Sequence, residues 1–121
     1  MVSKFSMYKL DVTGASGTDT SKSIRGKVVG VHLEYSGSAA AGTDVAITDN
    51  QDQTILDVDD NNTSGFYYPR TPSQDYTGTD VTFDGTNELY EPFVVFGTLT
   101  LTVAQNSAGV TVTAHVIVEE Y

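Results

Sequence analysis

Thr98-Leu99-Thr100-Leu101-Thr102-Val103-Ala104 and Val110-Thr111-Val112-Thr113-Ala114-His115-Val116-Ile117-Val118 decide the fold class. In the first stretch Leu99, Leu101 and Val103 fall on one side and Thr98, Thr100 and Thr102 on the other. In the second, Val110, Val112, Ala114, Val116 and Val118 oppose Thr111, Thr113 and His115. Side chains of a strand point alternately to opposite faces, so this period of two marks half-buried strands. Only Gln105-Asn106-Ser107-Ala108-Gly109 separates the two stretches, and together they read as a β-hairpin with one dry face.

The same reading extends toward the N-terminus. Phe5 to Val12 forms a strand with Tyr8, Leu10 and Val12 on one face and Phe5 and Met7 on the other. Gly14 to Ser23 is a polar loop. Ile24 to Tyr35 is a long strand with Val29, Val31, Leu33 and Tyr35 on one face and Val28, Gly30, His32 and Glu34 on the other. Thr43 to Thr48 directs Val45 and Ile47 inward. Thr54 to Val58 follows a turn at residues 49–52, and Phe66 to Tyr68 is ended by Pro69, which cannot donate to a ladder. Arg70 to Thr79 is irregular, Val81 to Phe83 and Leu89 to Tyr90 are short strand candidates, and Pro92 to Gly97 leads into the hairpin. No segment keeps a helical period. The expected fold is an all-β, antiparallel β-sandwich of jelly-roll or Greek-key type, with about eight strands. It forms one domain over residues 1–121, with residues 1–4 as a flexible arm.

A chain of 121 residues suffices for one core burying roughly two thirds of its unfolded surface. Sixteen acidic residues against six basic ones give a net charge of −10. Gripping nucleic acid requires Lys and Arg to neutralise phosphates, and an anionic membrane makes the same demand. Both partners are therefore disfavoured. There is no cysteine, hence no disulfide and no thiolate metal site. No apolar run nears the ~20 residues of a membrane-spanning helix. The N-terminal stretch lacks the apolar centre of a secretory signal, so synthesis and assembly in the cytoplasm are expected.

Candidate chemistry is sparse. His32 and His115 are the two histidines, both on the less apolar faces of their strands. If those strands pair, the imidazoles meet and could bind metal or act as a base; the plainer reading is two solvent-facing or interface histidines. Asp57-Val58-Asp59-Asp60-Asn61 opens like a calcium loop, yet Asn62 and Tyr68 stand where an EF-hand needs Gly and Glu. A looser calcium site competes there with an ordinary Asx turn. Asn61 and Asn62 each begin an N-x-S/T triplet, discounted without a secretory route. There is no G-x-S-x-G elbow and no phosphate-cradling loop. The chain is expected not to be an enzyme, and no catalytic, cofactor or metal residue is assigned. Phe66-Tyr67-Tyr68-Pro69-Arg70 is the most distinctive cluster, because Tyr and Arg are favoured interface anchors. Alternation predicts that Tyr67 faces away from Phe66 and Tyr68. Tyr67, Tyr68 and Arg70 are the first candidate contact residues. The uncharged outer face of the hairpin, Thr100, Thr102, Thr111 and Thr113, is the second.

The succession of segments resembles a known family. A strand Ser23 to Tyr35 is followed by a small-residue loop, Thr43 to Thr48 and Thr54-Ile55-Leu56. An Asp/Asn run, Gly65-Phe66-Tyr67-Tyr68-Pro69-Arg70, Gly97 to Gln105 and a Val/Thr strand complete it. This order, over about residues 5–119, resembles small virion proteins of tailed bacteriophages, especially head decoration (cement) proteins. The resemblance implies a non-enzymatic structural protein on the capsid surface of the virion. It implies binding to the outer face of the major capsid protein shell as a homo-oligomer, trimer before dimer, stabilising the shell against genome pressure. It transfers no catalytic or binding residue. The alternative is a carbohydrate- or receptor-binding β-sandwich module of a phage tail or surface protein.

Overall fold

A computed structural model describes residues 4–120. Among them the protein is all-β with antiparallel sheets, consistent with a β-sandwich. The strands are β1 (Lys4–Thr13), β2 (Gly17–Thr20), β3 (Ile24–Tyr35), β4 (Asp44–Asp49), β5 (Thr54–Val58) and β6 (Gly65–Tyr67). They continue with β7 (Thr71–Pro72), β8 (Tyr90–Glu91), β9 (Phe93–Gly97), β10 (Leu99–Ala104) and β11 (Thr111–Glu120). One sheet runs β1-β11-β3-β6, with β9 also on β3; the second runs β2-β10-β4-β5. One core joins them. The first sheet contributes Leu10, Val28, Leu33, Val95, Val112 and Val116, the second Val45, Ile47, Leu99, Leu101 and Val103.

The closing hairpin is not a hairpin. β10 pairs with β2 and β4, whereas β11 pairs with β1 and β3 in the other sheet. The apolar residues still point into one core, so the faces are as the alternation predicts. What differs is the connection. Residues 105–109 arch over the end of the core, with left-handed backbone at Gln105 and Gly109. Buried Asn106 pins the arch: its Nδ2 donates to the carbonyls of Val110 and Gly14, and its Oδ1 accepts from the Thr43 hydroxyl. A period of two records which face is dry and says nothing about the neighbouring strand.

Strict alternation also fails once within β3. Ile117 pairs with Gly30 but Val118 pairs with Val28, leaving Val29 as the extra residue of a β-bulge. The bulge swaps the faces on its N-terminal side. Val28 is buried and Val29 half-buried, the reverse of the sequence expectation, while Val31 and Leu33 remain inside.

Several short strands lie outside the expected set, and the count exceeds eight. β2 is an edge of Gly17, Thr18, Asp19 and Thr20, which has no apolar alternation to reveal it. β9 hides for the opposite reason: Phe93-Val94-Val95-Phe96 is apolar on both faces. Val95 is buried while Val94 and Phe96 are exposed. Val81 to Phe83 is not a strand; only Thr82 forms an isolated bridge, to Glu88.

One defect in the core is testable. The Tyr35 hydroxyl is the buried side-chain polar atom without a hydrogen-bond partner among the described residues. Burial, then the proximity of Tyr67, pushes its pKa up. An unpaired buried polar group costs about 1–3 kcal/mol. Tyr35→Phe should therefore raise stability by about 1 kcal/mol, seen as a melting temperature about 4 °C higher. A lower melting temperature would show that the hydroxyl is satisfied.

Candidate functional site

The outer face of the first sheet is set by its register. Lys9, His115, His32 and Phe66 form one row across β1, β11, β3 and β6. Met7, Ile117 and Gly30 form the next, and the Tyr68 ring lies over Gly30, where a Cβ would meet it at 3.4 Å. Phe5, Glu119, Lys27 and Val94 form a third, and Phe96 lies beside Arg25 beyond it. Phe5 (69% exposed), Met7, Phe66, Tyr68, Val94 and Phe96 (70%) are all largely solvent-facing. Natural sheets with one wet face put polar residues there. Here large apolar side chains occupy most rows instead.

A polar cluster sits among them. Alternation with buried Val31 and Leu33 places His32 and Glu34 outward, and the register places His115 directly opposite His32. Glu34 Oε1 lies 2.5 Å from His115 Nε2 and 3.7 Å from His32 Nδ1. The two imidazoles stack at 5.6 Å between centroids, and Phe66 covers the other side of His32 at 4.2 Å, nearly parallel. One ligand atom from each of His32, Glu34 and His115 lies within 4.8 Å of the others. A shallow depression of about 240 Å³, lined by Lys9, Tyr35, Ser36 and Thr113, opens beside Glu34 and His115. The sequence placed both histidines on outer faces and foresaw that they meet if their strands pair; Glu34 and Phe66 complete the group.

The other predicted residues scatter. Tyr67 faces away from Phe66 and Tyr68, as alternation requires, but it packs against the core. Its hydroxyl accepts from Asn61 Nδ2 at 2.5 Å. That inward position separates it from Tyr68, which stays on the open face. Arg70 is exposed and caps backbone carbonyls, those of Pro69 at 2.8 Å and Val29 at 3.4 Å. The four threonines do not share a surface, because β10 and β11 belong to different sheets. Thr100 and Thr102 lie on the second sheet beside Thr18, Thr20 and Thr48. Thr111 and Thr113 lie on the first, where Thr113 donates to Asp11 Oδ1 and Thr111 bonds Thr13.

In the Asp57–Asn61 turn, Asn61 Oδ1 accepts from the Thr63 amide and its Nδ2 is given to Tyr67. The first of these is the bond of an Asx turn. Repulsion from Asp57, with a hydrogen bond to it, pushes Asp59 above the usual carboxylate range. The irregular stretch ahead of β9 forms a projection. β7 and β8 close its base, and two tight turns lie beyond. The Asp75 carboxylate accepts from Thr77 and the Thr79 amide, and Asp84 from Thr86 and Asn87. These bonds hold both carboxyls below their ordinary values. Tyr76, fully exposed, and Phe83 stand at the two tips.

The chain matches no protein-family model and no curated protein sequence.

Proposed function

We propose that the protein is a non-enzymatic structural component of a phage virion that decorates and stabilises the capsid. It binds the outer face of the major capsid protein shell as a homo-oligomer, a trimer in preference to a dimer. The jelly-roll-like sandwich of such proteins is part of this reading. One observation carries it: six large apolar side chains, Phe5, Met7, Phe66, Tyr68, Val94 and Phe96, are exposed together on one sheet face. Soluble monomers rarely leave a contiguous apolar patch of more than a few hundred Å² uncovered, and larger ones mark protein contacts. Tyr and Phe are also the residues that anchor such contacts. The remaining surface carries most of the excess negative charge, which keeps the protein soluble before it docks. In this reading the projection over residues 71–91, with fully exposed Tyr76 at a tip, contacts a neighbouring subunit. Many modest contacts repeated over a shell give avidity without one strong interface.

The test is cosedimentation with assembled shells of the major capsid protein from the same genome. The wild-type chain should pellet with the shells. Phe5→Glu with Phe96→Glu should remain folded and stay in the supernatant, having lost at least about tenfold in affinity, the size of one or two anchor residues. Unchanged pelleting by the double variant would remove this face from the interface. No pelleting by the wild type would remove the decoration reading.

A further inference from the structure

We propose that His32, Glu34 and His115 form a binding site for one divalent transition-metal ion of the zinc, cobalt and nickel group. The proposal stands on the geometry of three side chains from two hydrogen-bonded strands. His32 and His115 are register partners, so backbone pairing fixes the separation of their Cα atoms. Glu34 is two residues along the same strand face as His32, and one of its oxygens already faces both rings, at 2.5 Å from His115 Nε2 and 3.7 Å from His32 Nδ1. With all three ligand atoms inside 4.8 Å, small side-chain rotations bring them to the ~2.0–2.2 Å metal–ligand distances of such ions.

The donor set selects the ion. Two imidazole nitrogens and one carboxylate suit zinc and its first-row neighbours, whereas calcium and magnesium prefer oxygen ligands alone. Three protein ligands would leave a fourth position for solvent, and the depression that opens beside Glu34 and His115 is open space next to the cluster. The surroundings hold the ligands ready. Phe66 stacks on His32 and restricts its ring. Side chains on strands are held more firmly than those on loops. The charged side chains nearest the cluster by register are Lys9, opposite His115, and Asp11, opposite Thr113; Lys27 and Glu119 stand two rows away on the same face, with Arg25 beyond them. Lys9 Nζ lies 3.9 Å from Asp11 Oδ2, which draws its charge away from the cluster. A net charge of −10 enriches cations around the whole chain. Metal binding at His115 Nε2 uses that nitrogen's lone pair, so the proton facing Glu34 moves to Nδ1 in a neutral ring or to solvent from a protonated one, with no change of oxidation state.

The experiment titrates the full chain with zinc chloride by calorimetry and with cobalt chloride by visible absorption. One ion per chain should bind, and cobalt should show the intense d–d bands of a four-coordinate site. Zinc should shift the ring nitrogen resonances of both histidines in the wild-type protein, a readout that needs no variant. His32→Gln and His115→Gln should each weaken binding about tenfold or more, at least the loss seen when an outer-shell partner of a metal site is removed. Excess calcium should not displace the zinc. The proposal is overturned if no stoichiometric ion binds, if neither histidine resonance moves, or if both variants bind as the wild type does. Displacement by calcium would also overturn it and move the ion to the carboxylates of the Asp57–Asn61 turn.

Discussion

Gly26→Ala should destabilise the protein by about 3 kcal/mol or more, beyond the usual 1–3 kcal/mol for overpacking a core. Gly26 lies in β3 opposite Glu120, just before the bulge. A Cβ there would stand 2.1 Å from the Glu119 carbonyl oxygen, with the Glu119 carbonyl carbon at 2.9 Å and Val118 Cγ1 at 3.0 Å. The obstacle is the backbone of the central strand, so no side-chain rotation relieves it. The pairing of β3 with β11 must open locally, close to the bulge at Val29. A domain of this size has about 6–18 kcal/mol of net stability, so the loss is a large fraction. Urea denaturation should show the midpoint falling by about 1–2 M at an unchanged slope. Gly37→Ala is the control, since nothing lies within 4 Å of its added Cβ; it should shift stability by less than about 0.5 kcal/mol. Equal midpoints for Gly26→Ala and wild type would contradict the close pairing of these strands.

The second large effect concerns the other sheet. Leu101→Ala should cost about 3 kcal/mol, within the range for emptying a buried leucine site. Leu101 is fully buried at the middle of β10, beside Ile47 of β4. A sheet-bound strand cannot slide to fill the gap without breaking pairs on both sides, which keeps the cavity open. Thr102→Ala, one residue further on the wet face, should change stability by less than about 0.5 kcal/mol. The ratio between these neighbours measures how one-sided the strand is. Similar costs at both positions would mean that the outer threonine face is also covered.

Face assignment was legible in the sequence where the two faces differ chemically. Leu99, Leu101 and Val103, and Val112 to Val118, needed only their period. Leu10 and Val12 followed from theirs, with Phe5 and Met7 outside. Pairing was not legible, because a strand with one dry face fits any neighbour that shares it. That is why β10 and β11 read as a hairpin and the four threonines as one surface. Val28 and Val29 were interchanged because both are valine: composition cannot mark a bulge between like residues. β9 was lost because its outer residues are apolar too, and that feature is also what marks the exposed face. The His32–His115 meeting depended on the same unknown pairing, while Glu34 lay in plain view two residues from His32. Tyr67 was placed correctly as facing away from its neighbours, but which direction was inward depended on where β6 joined the sheet.

The position of β11 has a consequence for how the chain is made. It is the last strand described, yet it lies between β1 and β3 and pairs Lys4 with Glu120. At about 5–20 residues per second of synthesis, the early strands leave the ribosome seconds before the one that joins them exists. During that interval β1 and β3 offer two unpaired edges and an uncovered apolar face, a state prone to self-association. Joining β1 to β3 must therefore wait for completion of residues 111–120, although β3 can pair with β6 and β9 before then. Contacts this distant in sequence also make the process slow. Yield in cells should depend on chaperone supply more than the modest size of the domain suggests.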